Sequence, residues 1–133
     1  MQSIFLSIWT LLYENLTVNE EKEKFSSDLA IMKNMIGFIQ QNFADKITLS
    51  DIAGAGAVGE SKCCKLFKYY LNETPNAYLN QYRLDKSAEL LRNTDMTITE
   101  IALHVGYAGS SYYAEIFHKW FGKTPNEYRK SVQ

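Results

Sequence analysis

Few side chains in this sequence are placed to do chemistry. Lys62, Lys65 and Lys68 recur at a three-residue spacing that brings them to one side of a helix. There, ammonium groups could neutralise phosphates or donate to base edges. Taken alone, such a row is also what an ordinary solvated helix face looks like. The other candidates support no reaction. Cys63 and Cys64 are adjacent, and neighbours on one helix cannot easily bring their sulfurs into disulfide geometry. Cys63 is explained as a small core residue, and no CxxC or His-rich spacing supports zinc. His104 and His118 show no spacing signature with a cysteine or serine, so nucleophilic catalysis finds no support. His104 suits the last turn of a helix, where a cation is favoured. No catalytic residue, metal or cofactor is expected, and the enzyme class is set aside.

The elements that must position these residues are helices. The chain has 133 residues and a 46% hydrophobic fraction, enough for one domain, or two small lobes sharing a core, without disulfides or metal. Its two prolines stand in the same tripeptide, Thr74-Pro75-Asn76 and Thr124-Pro125-Asn126, each an N-cap followed by proline at the first helical position. Thr97 to Glu100 reads as a capping box, and Thr48 to Asp51 resembles one with a shorter acid. Leu29, Met32, Ile36, Ile39 and Phe43 recur at helical spacing, and no useful period-two alternation occurs. Helices are expected near 4–16, 27–43, 49–56, 60–71, 75–92, 98–104, 110–121 and 125–131. The fold class is all-α.

An internal repeat organises these helices. Thr48, Asp51, Ile52 and Ala53 match Thr97, Glu100, Ile101 and Ala102 at an offset of 49. Leu66, Phe67, Tyr70, Thr74, Pro75, Asn76 and Tyr78 match Ile116, Phe117, Trp120, Thr124, Pro125, Asn126 and Tyr128 at an offset of 50. Each half holds a short capped helix, a turn, a longer helix ending in aromatics and another capped helix. Val105-Gly106-Tyr107 supplies a glycine where two helices must cross sharply. The halves therefore read as two helix-turn-helix units on the connector 75–92, able to present two second helices to successive major grooves.

From Ile47 to Arg129 the sequence resembles the DNA-binding domain of the AraC/XylS family of bacterial transcription regulators. The residues that carry the resemblance are Ile47-Thr-Leu-Ser-Asp-Ile-Ala53, Leu66-Phe67-Lys68, Arg83-Leu84, Glu89-Leu90-Leu91, Val105-Gly106-Tyr107, Ser111-Tyr112 and Phe121 to Arg129. The resemblance implies a cytoplasmic transcription factor whose partners are double-stranded DNA and RNA polymerase. It places base-contacting positions at Ser61, Cys64 and Lys65; the pattern of the helix itself turns Cys63, Leu66, Phe67 and Tyr70 inward, and Lys62 and Lys68 are expected to neutralise phosphates. In the second unit it places them at Ser110, Ser111, Tyr112 and Glu115; the residues themselves read Val105, Tyr113, Ile116, Phe117 and Trp120 as internal, and His118 and Lys119, one turn further on, could approach phosphate.

Two positions depart from the family pattern. Many relatives carry a base where this chain has Glu115, which can accept from cytosine N4 or simply pair with Lys119 at i,i+4. Ala57 stands where relatives usually have glycine, so a shifted or poorly ordered first turn is expected.

The formal charge is −1, but it is split. In residues 1–30, Lys22 and Lys24 face Glu14, Glu20, Glu21, Glu23 and Asp28, a local −3 that leaves +2 for 31–133. Ile4 to Tyr13 is apolar on nearly every side but too short to span a bilayer, and Leu16 to Lys24 reads as a polar linker. Residues 1–25 are thus expected to be the tail of a regulatory domain, possessing a helix that packs on that domain or joins two copies, and 26–133 the DNA-binding domain. Family members often carry an effector-binding β-barrel upstream. The competing class is an α-helical protein-interaction module whose DNA contacts have decayed, which Glu115, Ala57 and the small charge would fit.

Overall fold

The computed structural model describes residues 19–133. They form seven helices: α1 Asn19–Asn42, α2 Leu49–Ala55, α3 Glu60–Leu71, α4 Pro75–Asn93, α5 Ile98–His104, α6 Ser110–Phe121 and α7 Pro125–Val132. Among the described residues there is no strand, and no helix is long and apolar enough to cross a membrane. The segment expected to be helical at 4–16 lies outside the described residues.

Helix α1 departs from expectation. It begins at Asn19, so the charged stretch through Lys24 is helix rather than linker, and the division drawn between residues 25 and 26 falls inside it. Glutamate and lysine are good helix formers, and Glu20 and Glu21 in the first turn favour the positive end of the helix dipole. Phe25 then anchors these turns, buried with its ring 5.8 Å from that of Tyr70. Asp28 is buried beside it and accepts a 2.7 Å hydrogen bond from the Tyr70 hydroxyl.

The four threonine caps form as their sequences require. Thr48, Thr74, Thr97 and Thr124 each accept from the backbone N–H three residues on. The expected ranking of the boxes is reversed, however. The shorter Asp51 closes its box, accepting from the Thr48 N–H at 2.9 Å, as Glu127 does at Thr124. At Thr97 only the hydroxyl half is formed. Closing the box with the longer acid fixes an extra torsion for one solvent-exposed hydrogen bond, so it is marginal for glutamate: Glu127 closes its box and Glu100 does not.

Each unit has its own core. Met32, Met35, Ile39, Ile52 and Phe67 gather in the first, and Leu91, Ile101, Val105, Tyr113 and Phe117 in the second. Helix α4 serves both, placing Leu79 in the first and Leu84, Ala88 and Leu91 in the second. Half-buried Phe43 packs against both cores.

The first turn is neither shifted nor broken. Val58 N–H donates to Ala53 O at 3.1 Å, the counterpart of Tyr107 N–H to Ala102 O at 2.9 Å. Ala57 occupies the left-handed position at φ 55°, where the second unit has Gly106 at φ 104°. An exposed alanine can sit near the left-handed helical minimum at a cost of about 1–2 kcal/mol, so the register survives. Close approach is handled by Gly56 instead, where a Cβ would stand 2.7 Å from Met35 Cγ.

Arg83 of α4 joins the units. It donates from Nε to Phe43 O at 2.7 Å and from Nη2 to Asp45 O at 2.9 Å, and its guanidinium lies 5.7 Å from the centre of the Tyr107 ring. A Cβ on Gly106 would meet Phe43 O at 2.7 Å and Arg83 Nε at 2.8 Å, so glycine is required there by space as well as by φ. Arg129 plays a comparable part in the second unit, donating to the carbonyls of Leu91, Thr94 and Met96.

Candidate nucleic-acid interface

Helices α3 and α6 are equivalent in construction. Each follows a glycine N-cap with no side-chain cap, and each ends on a left-handed residue, Asn72 at φ 57° and Gly122 at φ 75°. Cys63, Leu66 and Phe67 hold α3 to its core, and Tyr113 and Phe117 hold α6. The opposite faces are free to meet a partner.

On α3, Ser61, Lys62, Lys65 and Lys68 are exposed and Cys64 is half-buried. Among the described residues none of these lysines pairs with a carboxylate, unlike Lys86 with Glu89 and Lys119 with Glu115. The three charges therefore remain available. On α6, Ser111, Tyr112, Glu115, His118 and Lys119 are exposed and Ser110 is half-buried. Tyr112 is 58% exposed yet steadied by an edge contact with the Tyr107 ring at 6.0 Å. Lys119 lies 3.9 Å from Glu115, a solvent-exposed pair that is worth little energetically.

One expected core residue is outside. Tyr70 is half-buried under the first turns of α1, but Trp120, its repeat counterpart, is 53% exposed. The difference lies in the cover. Phe25 and Asp28 reach Tyr70 because α1 extends well before its bundle contacts, whereas α4 starts only at Pro75. Ile116 is partly buried against the second core, and the other inward assignments of that unit hold.

Burial, with the neighbouring Cys64 and Glu60 adding to it, pushes the Cys63 thiol up to about 11, away from the thiolate needed for nucleophilic or metal chemistry. No group of three metal-ligating side chains occurs among the described residues.

A further feature escapes the sequence pattern. Between the first turns of α1 and α3 runs an open groove lined by Lys24, Lys62, Lys65, Lys68 and Tyr69, with Glu21 and buried Asp28. Reading Leu16 to Lys24 as a linker hid it. The acidic pair opening α1 is the sequence signal that could have revealed the earlier helix start.

Residues 52–131 match the helix-turn-helix domain family. The chain belongs to the AraC family of transcription regulators. It is 38% identical over 125 residues to the Bacillus subtilis HTH-type transcriptional regulator YdeC, an alignment covering 91% of this chain and 43% of that protein. The C-terminal domain of AraT, a response regulator from Geobacillus stearothermophilus, superposes with a TM-score of 0.73 at 32% identity, covering 76% of this chain and 84% of that one. The DNA-binding domain of AdpA, solved with a target DNA, shares the fold with a TM-score of 0.72 at 16% identity, covering 77% and 91%. The chain spans less than half the length of YdeC. Its two helix-turn-helix units make it an AraC-type DNA-binding domain.

Proposed function

We propose that α3 and α6 enter successive major grooves and divide the labour of recognition unequally. Ser61, Cys64 and Lys65 read bases in the first groove while Lys62 and Lys68 neutralise phosphates. Ser110, Ser111, Tyr112 and Glu115 face bases in the second, with His118 and Lys119 toward the backbone. The observation that supports this reading is the contrast between the outer faces: three lysines without ion-pair partners among the described residues on α3, against a neutralised Glu115–Lys119 pair on α6. Fixed positive charge supplies sequence-independent attraction, and a lysine aimed at a base edge can donate to guanine O6 and N7. The first unit therefore carries most of the affinity.

In the same reading, the apolar segment Ile4 to Leu12 is the contact to a regulatory region or to a second copy, and RNA polymerase is the protein partner through which binding alters transcription in the cytoplasm. Selection of bound duplexes from a random pool tests the DNA reading. A recovered consensus with two conserved clusters about one helical turn apart is the expected result; recovery of no enriched sequence would overturn it.

A further inference from the structure

We propose that the DNA interface of the first unit extends beyond α3 onto α1, with Lys24 and Tyr69 holding the sugar-phosphate backbone at the flank of the first groove. This rests on the reading of α3 as a base-reading helix. Projected around its axis, α3 turns Ser61, Lys65 and Lys68 away from the core, and Lys62 and Tyr69 lie on the side facing α1. Lys62, Lys65, Lys68 and Tyr69 line one open groove with Lys24, so four ammonium groups border it. None of the four makes an ion pair among the described residues. Asp28 is occupied by the Tyr70 hydroxyl and buried, which leaves Glu21 as the exposed acid of the groove.

Tyr69 is 80% exposed, an unusual setting for so large a ring. It is nevertheless held in place, edge-on to Tyr70 with centroids 4.7 Å apart, while Tyr70 itself is tied to α1 through Asp28. The result is a braced phenol hydroxyl among ammonium groups beside a helix already facing DNA. An anionic backbone passing along the flank of α3 matches that charge, and a phenol can donate to a phosphate oxygen without carrying charge. The Asp28–Tyr70 bond thus aligns the two surfaces, and α1 becomes part of the binding site as well as part of the core.

The test compares the wild-type chain with Lys24→Gln, Tyr69→Phe, Glu21→Gln and, as a control, Lys33→Gln, an exposed lysine of α1 outside the groove. Affinity for a random-sequence duplex is measured between 50 and 200 mM salt, with helical content checked by circular dichroism. Loss of one phosphate contact flattens the salt dependence by about one unit of slope. Across that range wild type should then lose about 3–4-fold more affinity than Lys24→Gln. Tyr69→Phe should weaken binding with the slope unchanged, because a neutral donor releases no counterion. Glu21→Gln should tighten it, and Lys33→Gln should match wild type. A wild-type slope in Lys24→Gln together with undiminished affinity in Tyr69→Phe overturns the proposal while leaving α3 as the reading helix. If wild type itself shows no salt-dependent duplex binding, the underlying DNA reading fails first.

Discussion

Ala57 shows how a single residue can break a family pattern without breaking the structure. It keeps the turn in register at φ 55°, and being exposed it gains no packing in return. Ala57→Gly should therefore raise stability by about 0.5–1 kcal/mol, the relief of left-handed strain exceeding the extra freedom of the unfolded glycine. Urea denaturation measures this, and a lowered midpoint would contradict it. Gly106→Ala should act oppositely, losing roughly 2 kcal/mol or more, since the added methyl collides with Phe43 O and Arg83 Nε. Glu115 is a test of recognition instead. Its carboxylate is exposed near Lys119, and Glu115→Ala should mildly tighten binding to every duplex by removing a like charge. Selective loss on the cognate site would show that Glu115 reads cytosine. The outward and inward sides of α3 were legible from periodicity alone, because Cys63, Leu66 and Phe67 fall on one stripe. Trp120 was not, since its exposure depends on where a different helix begins.

Among the helices, α1 holds the least obvious role. Its start is hidden in the sequence because a run such as Glu20 to Lys24 fits both a solvated linker and the first turns of a helix. Only tertiary contact separates the two, through Phe25 and Asp28 against Tyr70. Removing the phenol hydroxyl takes a hydrogen bond from a buried carboxylate, so Tyr70→Phe should destabilise the fold by about 1–3 kcal/mol. It should also speed hydrogen exchange in the N-terminal turns of α1 more than elsewhere. Uniform exchange changes would mean that Tyr70 does not brace α1. Helices α2, α4, α5 and α7 were readable because their starts are written in threonine caps and two prolines, which act locally. Closure of the boxes was not readable to the same degree: Asp51 and Glu127 close theirs, while Glu100 leaves Thr97 with the hydroxyl half alone.

The described residues form two small cores sharing α4, and on the proposed reading DNA binding depends on keeping α3 and α6 in fixed relation. The repeat made the two units legible in the sequence. Their junction was not, because Arg83 works through the backbone carbonyls of Phe43 and Asp45 and the face of Tyr107, contacts that leave no periodic trace. Arg83→Lys keeps the charge but cannot reproduce a guanidinium fork, so binding to a site spanning two grooves should weaken more than binding to random duplex. Equal loss on both would place Arg83 outside the control of unit orientation. The charge on α3 leads to the most direct measurement: titration of wild type, Lys65→Ala and Lys68→Ala on a selected duplex and its scrambled counterpart, each over a range of salt. Wild type should prefer the selected site, with affinity falling linearly on a log–log salt plot. Lys65→Ala should lose about 1–3 kcal/mol on the selected site alone, whereas Lys68→Ala should weaken both duplexes and reduce the slope by about one unit. Equal wild-type affinity for selected and scrambled DNA, or no dependence on salt, would contradict sequence-specific recognition by this domain.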